Sequence, residues 1–177
     1  MKPRIMVVAG NALSSRLIEG FGGGRWSHMA NLLADDTVLD ARYDSVHYGG
    51  KAHAPGVQLR PAHYLDSEPR WAVFEFGEPW MYPIWEQAGL GQIGKPYDSV
   101  GIKGFARGLF TGHYEDRNYA PRDPSKSKAW FCDELAVYMA QRCGHLPELP
   151  FQPYTLTPGA ALNLFIGRGA RLMATQG

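Results

Sequence analysis

Cysteine is scarce in this sequence, with only Cys132 and Cys143 among 177 residues. The segment between them, DELAVYMAQR, reads as helix, and a helix of that length sets the two Cα atoms about 16 Å apart. A disulfide needs roughly 4.4–6.8 Å, so the two thiols are expected to be free, as suits a reducing compartment. Excess charge is also lacking: 18 Lys plus Arg stand against 17 Asp plus Glu. With no block of like charges either, an electrostatic case for nucleic acid fails. No apolar run approaches the roughly 20 residues of a membrane-spanning helix, and IMVVAG near the start is short even for a signal peptide. The expectation is a cytoplasmic protein with no integral membrane association, which would need another route to any target outside its cell. His47, His53 and His63 fit no zinc spacing, and FGGGR lacks the Lys-Ser/Thr ending of a phosphate loop. No metal or cofactor is expected.

What is present is ordinary globular composition, 45% apolar and 20% charged, at a length that suits a single domain over residues 1–177. RIMVVAG reads as a strand, ALSSRLIEGF as a short helix, and GGGR as its stop. WSHMANLLA and TVLDARYD follow as two strands around a hairpin turn at Asp35-Asp36. In the first, Trp26, His28 and Ala30 are expected on one face; in the second, Asp40 and Leu39 face opposite sides. GVQLR is a possible short strand, and RWAVFEF a clearer one with Trp71, Val73 and Glu75 on one face. The stretch from Glu78 to Gly91 reads as helix, bent at or starting from Pro83. Trp80, Met81, Tyr82 and Trp85 within it have the spacing of a core face. The loop from His113 to Lys128 is read as a lid, a substrate wall or a solvated connector. AWFCDELAVYMAQRCG is the strongest helix, with Asp133 and Glu134 in its first turn, Arg142 near its end and Gly144 as its stop. The proline-broken LPFQPYTLTPGAALNLFIGRG is expected to pack as an edge segment.

Cys132 falls in the first turn of that helix, where unpaired N–H groups and the positive dipole end favour an anion. Such a placement lowers a thiol's pKa and supplies donors for an oxyanion. A buried structural cysteine is the alternative. Alone, His28 would be a packed or surface histidine. Asp40, on the adjoining strand of the hairpin, is placed to share its face and hydrogen-bond the imidazole, which would complete a Cys-His-acid arrangement.

GGGRWSHMANLLADDTVLDAR, GQIGKPYDSVG and AWFCDELAVYMA together resemble the circularly permuted branch of the NlpC-type papain-like superfamily, which includes the lecithin retinol acyltransferase-like enzymes. In that branch the His-bearing strand comes first, a strand with a polar residue second and the Cys-bearing helix last. The resemblance runs from about Arg4 to Ala140 and touches TLTPGAAL. It implies an α+β fold, an antiparallel sheet or half-barrel packed against the helix that carries the nucleophile. By the same resemblance Cys132 is the nucleophile, His28 the base and Asp40 the orienting acid. GKPYD resembles the Gly-x-x-Tyr element near the superfamily's cysteine, making Tyr97 a candidate beside the nucleophile. Trp26 and Asp133 join it as candidates for the substrate-binding or oxyanion side.

Two positions depart from the pattern. The branch often has Ser after the cysteine and Glu at the third position, where this chain has Asp133 and Asp40. Asp133 puts a negative charge beside the thiol unless its side chain turns to solvent or caps the helix. The implied activity is that of a cysteine peptidase or amidase acting on peptides, including peptidoglycan fragments. The alternatives are a thiol-dependent acyltransferase on acyl-ester or thioester substrates, and a non-catalytic module that keeps the fold.

Overall fold

A computed structural model describes residues 1–10, 25–43, 45–48, 51–66, 68–99, 124–149 and 156–176. The expected helix over ALSSRLIEGF, the glycines of its GGGR stop and most of the His113–Lys128 loop lie outside these residues.

The described strands are β1 (Arg4–Ala9), β2 (His28–Leu32), β3 (Thr37–Arg42), β4 (Val46–Tyr48), β5 (Lys51–His53), β6 (Gly56–Pro61), β7 (Arg70–Glu75) and β8 (Arg171–Gln176). The described helices are α1 (Tyr82–Leu90), α2 (Cys132–Arg142) and α3 (Pro158–Gly167). Six strands form an open sheet in the order β6-β3-β2-β1-β7-β8, each pair antiparallel, and β4 and β5 form a separate hairpin. The fold is therefore α+β. No helix among the described residues is long and apolar enough to cross a membrane.

Strand alternation gives the sheet two apolar faces. Ile5, Val7, Met29, Leu39, Ala41, Val57, Ala72 and Phe74 point to the side where the helices pack. Met6, Val8, Ala30, Leu32, Val38 and Val73 point the other way, where Leu65 and the partly buried Tyr64 of a short turn at Ala62–Leu65 cover them. α2 lies at the centre of the larger core, with every residue from Cys132 to Ala140 buried. Its Ala136 and Ala140 leave room for neighbouring elements, and Leu135, Val137 and Met139 fill the remaining space.

The β2–β3 turn shows how local chemistry sets register. Asp35 and Asp36 both take positive φ, 56° and 51°, and Thr37 N–H donates to the Ala34 carbonyl at 3.2 Å. Two left-handed residues at the centre give the backbone twist that a two-residue hairpin requires, and Asp tolerates that region better than most residues. The register that results places Asn31 opposite Leu39 and Leu32 opposite Val38.

Three expectations need correction. The C-terminal part is not an edge segment throughout. Thr157 Oγ1 accepts the Ala160 N–H at 3.3 Å, and Pro158 follows it, so this proline starts α3 instead of breaking it. Only β8 beyond it is an edge strand. Trp80 is 61% exposed, whereas Trp85 is fully buried and Met81 and Tyr82 pack partly against the core. Trp80 sits in a short 3-10 turn, Pro79–Met81, before the helical spacing begins. Trp26 does not share the face of His28 and Ala30. The chain bends at 25–27 before β2 starts, so alternation does not extend back to Trp26, which packs against the helix-side core.

Candidate active site

His28 opens β2, and Asp40 lies on β3 on the same face as Val38. The β2–β3 ladder holds only the two residue pairs nearest the turn. Beyond them the side chains of the two strands meet instead, and His28 Nε2 lies 3.0 Å from Asp40 Oδ2. Asp40 is fully buried and receives two further donors. Arg60 Nη1 donates to Oδ1 and the Tyr64 hydroxyl to Oδ2. Arg60 is itself buried; its Nη2 donates to the Ala54 and Gly56 carbonyls at 2.9 and 3.4 Å. The Arg42 guanidinium lies over the Tyr64 ring, 5.7 Å from its centroid.

The charges follow from these partners. Burial alone would push the Asp40 carboxyl up, but the His28 hydrogen bond, the His28 and Arg60 charges and the Tyr64 hydroxyl hold it below its ordinary range. Burial pulls the His28 pKa below its ordinary value, with the Arg42 and Arg60 charges assisting, and the Asp40 contact only partly offsets this. Near neutrality the pair is therefore a carboxylate and a neutral imidazole. Nε2 carries the proton it donates to Asp40, and Nδ1 is the basic nitrogen. The His28 side chain is 12% exposed.

Cys132 approaches from the helix side. The backbone N–H groups of Met29, the residue directly after His28, and of Asp133 act on its sulfur so as to favour the thiolate. The described contacts include no hydrogen bond between the His28 ring and the sulfur. Despite its place at a helix start, the Cys132 thiol is not acidic. Burial pushes its pKa well above the ordinary value, the Asp133 charge adds to this, and the two N–H groups only partly compensate. Desolvation of the anion outweighs the helix-terminus term that the sequence suggests.

Asp133 neither turns to solvent nor caps the helix; Glu134 takes the capping role, Oε2 accepting the Phe131 N–H at 3.1 Å. Asp133 is buried, with Oδ1 3.6 Å from the Cys132 sulfur and Oδ2 without a hydrogen bond among the described residues. Burial raises its pKa to about 7. Tyr97 pairs with Trp130 in a parallel bridge, and its ring stands edge-on to Phe131 at 5.9 Å. Burial, then the Cys132 and Asp133 charges, raise its pKa well above the ordinary tyrosine value. Cys143 is buried at the other end of α2, and both cysteines are free. No group of three or more His, Cys, Asp or Glu side chains suited to a metal ion occurs among the described residues.

Sequence reasoning missed Arg60 and Tyr64. The available signal was a charged residue at an alternating position of GVQLR, but its partner became identifiable only once β6 paired with β3.

No protein-family model matches the chain, and no curated protein matches it. Among solved structures, the fold is similar to the crystal structure of metalloprotein yiiX, DUF1105, from Escherichia coli O157:H7. The TM-score is 0.64 and the identity 13%, over 99% of this chain and 97% of that one. At that identity the likeness concerns the fold alone.

Proposed function

We propose that this chain is a cysteine hydrolase of the permuted NlpC-type papain-like kind, cleaving amide bonds in peptides through a Cys132 acyl-enzyme. One observation carries the reading: the His28 imidazole at the start of β2 is held by the buried Asp40 carboxylate at 3.0 Å, the base-and-orienting-acid pair that such a hydrolase needs. On this reading Cys132 at the start of α2 is the nucleophile, His28 at the start of β2 is the base, and Asp40 is the group that orients it.

The resting state has a neutral thiol and a neutral imidazole, so the reaction starts by general-base catalysis and not from a preformed thiolate. As the sulfur attacks the carbonyl carbon, His28 Nδ1 takes the thiol proton, and the Met29 and Asp133 N–H groups stabilise the forming anion. Contacts between base and nucleophile in ligand-free sites are commonly long and tighten when substrate binds. First-turn N–H groups of α2 receive the oxyanion, and His28 returns the proton to the leaving amine. Water then releases the acyl group. A reducing compartment, the cytoplasm, is the proposed setting, and two unbridged thiols support it.

The test is alkylation of Cys132 by iodoacetamide as a function of pH, with buried Cys143 as the internal reference for opening of the fold. The expected rate rises through an inflection below 6.5, where His28 loses its proton, and this inflection disappears in His28→Ala. Peptidoglycan fragments and short-chain thioesters are then offered to wild type and Cys132→Ala. A Cys132 adduct from the peptide supports the hydrolase, and an adduct from the thioester alone supports acyl transfer. Alkylation indifferent to His28 refutes both.

A further inference from the structure

The Asp40 carboxylate has more partners than an orienting acid needs. It accepts from His28, Arg60 and Tyr64, which come from β2, β6 and the turn that covers this face of the sheet. Arg60 also donates to the Asp40 backbone carbonyl at 3.3 Å and to two carbonyls at the entry to β6, so its position is over-determined. Neither residue has a described contact with Cys132.

We propose that Arg60 and Tyr64 are positioning residues which act through Asp40, fixing its carboxylate on the His28 Nε2–H and setting how basic the free Nδ1 is. This assignment rests on the hydrolase reading above. Its physical basis is that one anion is shared among three donors. Arg60 neutralises the carboxylate on Oδ1, and Tyr64 competes with the imidazole for the charge on Oδ2. Held this way, Asp40 orients the ring but stabilises an imidazolium only modestly. His28 then stays neutral at rest, the form a general base must have. With the carboxylate unshared, a histidine in the same place would be drawn towards the imidazolium form. Among the described residues, the charged and titratable groups around the ring are Asp40 and Arg42 on β3, Arg60 on β6 and Tyr64 in the covering turn, so the sharing can be tested one donor at a time.

Tyr64→Phe is the most conservative probe, because it deletes one hydroxyl and keeps the ring under Arg42. The measurement is imidazole 15N NMR of the full chain, which reads the His28 tautomer and its titration. Wild type is expected as the Nε2–H tautomer. Tyr64→Phe is expected to keep that tautomer and raise the His28 pKa by about half a pH unit or more, as charge on Oδ2 returns to the imidazole. Asp40→Asn is expected to lose the single tautomer. Arg60→Lys, which keeps the charge but not the fork, is expected to restore less order to the ring than Arg60 gives and more than Arg60→Met. If Tyr64→Phe lowers stability but leaves the His28 titration and tautomer unchanged, Tyr64 and Arg60 merely neutralise a buried charge and the proposal is overturned. If the titration moves as expected while Cys132 alkylation ignores His28→Ala, the positioning of the imidazole stands and the hydrolase reading fails.

Discussion

Asp133→Asn isolates the cost of burying a carboxyl beside the nucleophile. The substitution preserves shape and removes titration. In the fold this carboxyl holds its proton until about pH 7, whereas in the unfolded chain it ionises near its ordinary value of about 4. Between those two values the folded state binds a proton that the unfolded state has lost, so stability falls as pH rises. Each pH unit across that window is worth about 1.4 kcal/mol, so from about pH 5.5 to about 8.5 this group removes about 2 kcal/mol from the wild type. His28 acts in the opposite sense. Its pKa is depressed in the fold, so its contribution is present above 6.5 and is lost as pH falls through the folded value. That term is common to both proteins and cancels in their difference. The buried amide of Asn adds a cost of its own, about 1–3 kcal/mol if its donors go unpaired, but that cost does not change with pH. The assay is urea unfolding followed by tryptophan fluorescence, under reductant, for both proteins at both pH values. The stability of Asp133→Asn relative to wild type should improve by about 2 kcal/mol on going to the higher pH. A difference that stays constant within about 0.5 kcal/mol would mean that Asp133 is solvated and ionised throughout, refuting the assignment of its burial.

Other consequences are simpler to test. Gly56 has φ of +94°, and a Cβ there would lie 2.5 Å from the Lys95 carbonyl oxygen. Gly56→Ala is therefore expected to cost about 2–4 kcal/mol in urea unfolding, by strain and by displacing the 94–96 segment from β6; a cost below about 0.5 kcal/mol would contradict that contact. Leu135 is fully buried in the first turns of α2, so Leu135→Ala should cost about 2–5 kcal/mol by the same measurement. Both cysteines should react with a thiol reagent only slowly in the native protein and fully in denaturant without prior reduction, since both are buried and free. A requirement for reductant would disprove the unbridged state.

His28 and Asp40 show how far local pattern reaches. Alternation along WSHMANLLA and TVLDARYD, with two Asp residues able to adopt left-handed backbone, was enough to place the imidazole and the carboxyl on one face of a hairpin. The start of α2 at Cys132 was equally legible, because acidic residues, an apolar stripe and a terminal glycine are signals carried within the segment. Trp26 and Thr157-Pro158 mark the limits of such reading, one because alternation stops where a strand stops, the other because proline both ends and begins helices.

Cys132 illustrates what no local signal contains. Its sequence position argues for an acidic thiol, since helix-end dipoles act over a single turn. Its burial beneath the sheet, with Asp133 buried beside it, raises the thiol instead, because desolvation depends on every element packed around a charge. The Arg60–Asp40–Tyr64 cluster has the same origin. Those three residues come from β6, β3 and a covering turn, and only the pairing of strands brings them to one carboxylate. The sequence by itself determined β1, β2, β3, β7 and α2, and the hairpin that joins imidazole to carboxyl. The tertiary structure decided the protonation states, because short-range backbone preferences are local while solvation and charge are summed over the whole packed surroundings.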